Sequence, residues 1–255
     1  PAVLRPSMPI WIPLDRHNFL CQTLRVHSKI NYQNVTLFFS EPLPKIRKLR
    51  MEDFETLLKG SSNAHGHLCP GQVVGVRMAM EGCRLIGLDN PAKMPQIKKL
   101  IVYVEMDRCA TDAICFVTGV RLGRRSLKFV DNGIMAATFV NLETGKAFRI
   151  VSTEKARDLA QIYAPKMSDK REQQLSAYKK MDIKDLFDIE EVKVDVPACD
   201  YPGPTRFKQT CSSCGQVVRD KKEVMKNDKI LCRPCALGAT TNFKVAGRFI
   251  LGNLA

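Results

Sequence analysis

Cys211-Ser-Ser-Cys214 and Cys232-Arg-Pro-Cys235 set four thiols in the pattern C-x2-C-x17-C-x2-C. Two residues between thiolates let a tight turn aim both sulfurs at one tetrahedral ion, and Gly215 eases the first turn. Four cysteine ligands leave no open coordination position. The expected role is therefore a structural zinc that staples a module too small to fold alone. A redox C-x-x-C pair does not carry this doubled spacing. Lys208, Arg219, Lys221, Lys222, Lys226, Lys229 and Arg233 make the module basic. Such charges ordinarily form a solvated face, so nucleic acid is not expected as a partner.

A second group gathers in His65-Gly66-His67-Leu68-Cys69-Pro70-Gly71. Alternation along an extended chain points His65, His67 and Cys69 to one side. Imidazole and thiolate suit zinc and neighbouring transition metals, which predicts a second, core ion. Pro70 fits the first turn of a helix, which places Cys69 at the positive end of its dipole. Cys109 precedes another predicted helix in the same way, with Asp112 in its first turn. Asp112 is a candidate ligand, supporting partner of a ligand, or acid/base. The alternative for Cys69 and Cys109 is a buried core thiol, the reading preferred for Cys83 and Cys115. Cys21, Cys199, His17 and His27 show no partner pattern. Arg121, Arg124, Arg125 and Lys128 surround the Gly119–Gly123 turn, where an anion could dock.

The elements that must hold these residues predict an α+β fold, with helices on one face of a small sheet. A helix opens after Met51 with acids in its first turn. A second helix is expected from Pro70 to about Ile86, a buried strand at Leu100–Met106, and a helix from Ala110 to Val117. Asp131-Asn132-Gly133 between Ser126–Val130 and Ile134–Leu142 predicts a hairpin. A turn at 143–146 leads to a strand over Ala147–Val151. The core order is thus α-β-α-β-β-β over 51–152. Residues 153–204 read as a helical connector and linker, with capping at Asp169, a short helix over Ile183–Phe187 and a strand over Val192–Val196. The module spans 205–240, with a hairpin expected from Gln216–Arg219 and Glu223–Lys226, and 241–255 is a tail. Residues 1–50 read as a poorly ordered extension with one short strand at Val35–Ser40, and Met51 as a natural start.

Composition bounds the class. Hydrophobic residues make up 45% and charged residues 26%, the balance of an ordinary globular protein. No apolar run approaches the roughly 18 residues of a membrane span, and no signal-peptide pattern opens the chain, so no membrane association and a cytoplasmic location are expected. Ten cysteines without an export signal favour metal binding or reactive thiols over a disulfide framework. The net charge is +14, but residues 1–50 hold +6 of it, which weakens a nucleic-acid reading of the rest.

The chain resembles the E-subunit family of formylmethanofuran dehydrogenase over about 51–150 and 205–236, most tellingly at His65-Gly-His67-Leu-Cys69-Pro-Gly71, Cys109-Ala-Thr-Asp112-Ala-Ile and the stretch from Gly119 to Gly133. The tail cysteines resemble the treble-clef or zinc-ribbon-like finger that many members append. The resemblance implies a metal in the core and a homodimer. It carries over His67, Cys69 and Cys109 as core ligands, with His65 and Asp112 close by. It further implies an accessory to a molybdenum- or tungsten-dependent oxidoreductase complex of anaerobic one-carbon metabolism. The chain departs from the family at Val120, where members often have a cysteine, and at Arg124, often a lysine. No iron–sulfur cysteine spacing is present, so the catalytic component of that enzyme is excluded. The alternatives are a small zinc metalloenzyme at the His/Cys site and a basic zinc-finger regulator.

Overall fold

The computed structural model describes residues 51–238, so the expectations for 1–50, including Val35–Ser40, and for the 241–255 tail lie outside the described residues. Helix α1 (Phe54–His65) starts where Asp53 accepts hydrogen bonds from the Thr56 amide and hydroxyl. It stops at Gly66, whose φ of 96° lets its amide return to Ser62 and Asn63. Helix α2 (Pro70–Leu85) follows, then β1 (Leu100–Val104), α3 (Cys109–Thr118), β2 (Leu127–Phe129), β3 (Ala136–Asn141) and β4 (Ala147–Ser152). Residues 153–191 supply α4 (Glu154–Tyr163), α5 (Lys170–Lys180), α6 (Ile183–Leu186) and β5 (Phe187–Glu191). Asp169 caps α5 by accepting from the Glu172 amide.

The fold is α+β. Its five-stranded mixed sheet has the order β2-β1-β3-β4-β5, with β1 and β2 parallel and the other pairs antiparallel. This corrects the expected hairpin at Asp131-Asn132-Gly133, because β2 and β3 lie on opposite sides of β1. Residues 130–135 cross the end of β1, a span of about 10 Å for two strand spacings. Glu105 holds that crossing: its backbone oxygen accepts from the Ile134 amide, and its carboxylate accepts from Asn132 Nδ2 at 2.8 Å. Arg149 on β4 binds the same carboxylate at 2.7 and 3.0 Å.

Strand alternation divides the sheet between two cores. Leu100, Val102, Val104, Ala137, Phe139 and Ile150 face the helices, and α2 approaches closely because a Cβ at Gly82 would overlap the Phe139 ring. Ile101, Val140 and Ala147 face the other way and are covered by Val192, Val194 and Val196. The strand expected at Val192–Val196 is therefore displaced: the paired strand is Phe187–Glu191, and the three valines pack as an extended cover.

The C-terminal module has β6 (Lys208–Thr210), β7 (Val217–Arg219), β8 (Val224–Lys226), β9 (Lys229–Leu231) and α7 (Arg233–Leu237). β6 pairs with β7 and β8 with β9, so the hairpin expected between β7 and β8 does not form. Asn227 and Asp228 both have positive φ and supply the tight turn that a two-residue β8–β9 hairpin requires. No helix among the described residues is long and apolar enough to cross a membrane.

Candidate metal centres

The core centre lies where three helix ends meet. His65 ends α1, Cys69 caps the N-terminus of α2, and Cys109 is the first residue of α3. Their ligand atoms all lie within 4.8 Å of one another. Strand-like alternation is not what gathers them, since His65 is helical and the chain reverses at Gly66. His67 stands beside His65, ring centroids 4.8 Å apart, but is exposed and lies outside the group of three.

Asp112 sits one turn into α3, and its Oδ2 lies 2.9 Å from His65 Nδ1. The opposite ring nitrogen, Nε2, is buried and has no hydrogen-bond partner. A buried, unpartnered imidazole nitrogen is costly unless something binds it. With Nδ1–H donating to Asp112, the lone pair of Nε2 is free for an ion, the orientation a carboxylate–histidine–metal arrangement uses. Burial, and next the hydrogen bond with the Cys69 thiol, raise the pKa of the Cys109 thiol. A cation would reverse that by stabilising the thiolate.

Close helix packing brings the two cysteines together. A Cβ at Gly75 would fall 2.5 Å from the Ala110 carbonyl oxygen and 2.7 Å from its Cα. One at Gly71 would fall 3.0 Å from Cys109 Cβ. Gln72, fully buried, donates from Nε2 to the Cys109 carbonyl oxygen at 2.7 Å and accepts from the Ser61 hydroxyl, tying α3 to α1 through α2. Sequence reasoning misses Gly71, Gln72, Gly75 and Ser61. The available signals are two glycines four apart on one helix face and a glutamine within an apolar helix.

In the tail centre, Cys211 and Cys214 flank the β6–β7 turn, Cys232 caps α7 and Cys235 lies within it. All four sulfurs lie within 4.8 Å of one another, and Cys214 and Cys232 are 3.8 Å apart. A tetrahedron with arms of ~2.3 Å has edges of about 3.8 Å, so the spacing suits zinc. Backbone hydrogen bonds at Cys232 and then Cys214 lower the Cys211 thiol pKa to about 6. The hydrogen bond to Cys232 raises that of Cys235 to about 12. Four such thiols ionise together only around a cation. Both clusters are thus able to hold a metal ion.

The basic turn serves a different purpose from the one expected. Arg125 pairs with Asp220 at 2.8 Å and donates to the Cys199 carbonyl oxygen, while Lys128 pairs with Asp200 at 3.2 Å. Two of the four cations anticipated for an anion therefore tie the linker and the tail module to the sheet. Arg124 donates to the Gly119 carbonyl oxygen at 3.3 Å, and Arg121 is exposed.

An α+β core with a His/Cys cluster at converging helix ends defines a class of metal-binding protein. The family model described as "FmdE, Molybdenum formylmethanofuran dehydrogenase operon" matches residues 64–193, just over half of the chain, and the chain belongs to that family. A relative from Archaeoglobus fulgidus, "Probable S-adenosyl-L-methionine-binding protein", is 31% identical over 121 residues, 47% of this chain. The chain spans 31% of that relative's length. An FmdE-like protein of tungsten formylmethanofuran dehydrogenase from Syntrophus aciditrophicus has a solved structure that matches at 17% identity and a TM-score of 0.49, over 76% of this chain and 96% of that one.

Proposed function

We propose that this chain is a metal-binding accessory protein to a molybdenum- or tungsten-dependent oxidoreductase of one-carbon metabolism. Membership of the FmdE family supports the association with formylmethanofuran dehydrogenase. The observation that carries the metal reading is the unpartnered, buried His65 Nε2 beside two cysteine sulfurs. His65, Cys69 and Cys109 would hold the core ion, and Cys211, Cys214, Cys232 and Cys235 a structural zinc. Zinc also suits the core donor set of one imidazole and two thiolates. Elemental analysis of wild type and of Cys69→Ser tests this. Two ions per chain falling to one supports the core site, whereas a single ion unaffected by the change removes it.

One observation favours a second reading, a small metalloenzyme: three protein ligands leave a fourth coordination position open. A zinc ion there would supply a Lewis acid or an activated water. Asp112 would orient His65 in that case, because its carboxylate already engages Nδ1, rather than act as the general base. An exchangeable water detected on the metal-loaded protein would favour this reading over a purely structural or cargo ion.

A further inference from the structure

The strand register gives the charge of the tail module new weight. Lys208 stands directly across from Arg219 in the β6–β7 pair, and Lys226 directly across from Lys229 in the β8–β9 pair. Like charges at directly opposed positions destabilise a ladder. Both hairpins carry such a pair, and β6 packs against β9, which sets the hairpins side by side.

The module's few acids do not offset this charge. The described module, 205–238, carries eight Lys/Arg against three acids. All eight cations, Arg206 and Lys222 included, are exposed, and none forms an ion pair among the described residues. Asp220 is already engaged by Arg125, and Glu223 is half-buried. The core behaves differently: Arg84, Lys99, Arg149, Arg157 and Lys179 each meet a carboxylate.

We propose that the β6–β9 face of the tail module binds the phosphate backbone of a nucleic acid, through the opposed pairs Lys208/Arg219 and Lys226/Lys229. Five of the eight cations are lysines, the point-charge partner of phosphate and a residue depleted at protein–protein interfaces. Phe207, the module's one aromatic residue, lies under Lys221 at 4.7 Å and offers no free stacking face. Binding is therefore to backbone, without base preference and strongly salt-dependent. It does not depend on the core centre.

The test is fluorescence anisotropy of the full, metal-loaded chain with a mixed-sequence duplex DNA of about two helical turns, between about 50 and 200 mM salt. Four to five phosphate contacts give a slope of log K against log salt of about −4. Lys208→Gln/Arg219→Gln should make that slope shallower by about 2, with tail zinc retained and thermal stability unchanged or raised by the relieved repulsion. Residues 1–50 add +6 of their own, so the change on substitution is the readout. An unchanged slope overturns the proposal. So does equally tight binding of poly-L-glutamate of the same charge, which would mark an acidic protein surface as the partner. Should the double variant lose zinc, Lys229→Gln carries the same test, with a slope change of about 1.

Discussion

Adding one methyl group at Gly75 should damage both the fold and the core metal site. In Gly75→Ala the new Cβ would meet the Ala110 oxygen at 2.5 Å, the Ala110 Cα at 2.7 Å and the Ala113 Cβ at 2.7 Å. Two of these atoms are backbone within α3, so no side-chain rotation relieves the overlap. Reaching ordinary contact, about 3.4 Å, requires α2 and α3 to separate by somewhat less than 1 Å. Such overpacking costs about 1–3 kcal/mol, and the rigid backbone places this case near the upper end. Replacing a mid-helix glycine returns about 0.5–1 kcal/mol, which leaves a net loss of about 2 kcal/mol. For a domain of this size that lowers Tm by roughly 4–8 °C. The same separation pulls Cys109 away from Cys69, so the ion held there should be lost first. Calorimetry and elemental analysis of one preparation check both effects. Gly123→Ala is the control, since nothing lies within 4 Å of its added Cβ. A Gly75→Ala protein with unchanged Tm and full core metal would refute the idea that helix contact sets the site.

Two further outcomes follow from the named contacts. Asp112→Ala removes the acceptor that orients His65 and should weaken the core site roughly 10–100-fold, leaving tail zinc intact; chelator competition measures it, and unchanged core affinity would exclude the orienting role. Glu105→Gln tests the brace on the crossing loop. The Arg149 hydrogen bonds, then the Asn132 one, depress the Glu105 pKa below 4.5, so the ionised form adds stability above the unfolded pKa that is lost as pH falls through the folded one. The variant should be about 1–3 kcal/mol less stable at pH 7, with the gap closing below about pH 4. Urea midpoints across pH decide it, and a constant gap down to pH 3 would contradict the assignment.

Much of this fold is legible from short-range pattern. Asp53, Pro70 and Asp169 mark helix starts, and Leu100–Val104 reads as a buried strand, because caps and apolar runs act within a few residues. Strand partnership is not local. Asp131-Asn132-Gly133 carries a hairpin pattern, yet β1 takes a neighbour on each edge and forces the chain to cross over it. The same limit hides the β6–β7 and β8–β9 pairings. At the core centre, residue types alone single out His65, Cys69 and Cys109. The three-helix convergence that brings them together depends on interhelical distance at Gly71 and Gly75, which no spacing of ligands encodes.

The valine cover over the back of the sheet bears on where this protein can be divided. The family match ends at residue 193, between Val192 and Val194, while the cover continues to Val196. A fragment cut at that boundary would bare Ile101, Val140 and Ala147, an apolar stripe prone to self-association. It would also lose the Asp200 and Asp220 anchors of Lys128 and Arg125. The domain boundary drawn by sequence similarity is therefore not a cleavable seam. A relative built without the module would need polar residues on that sheet face, or another segment to close it.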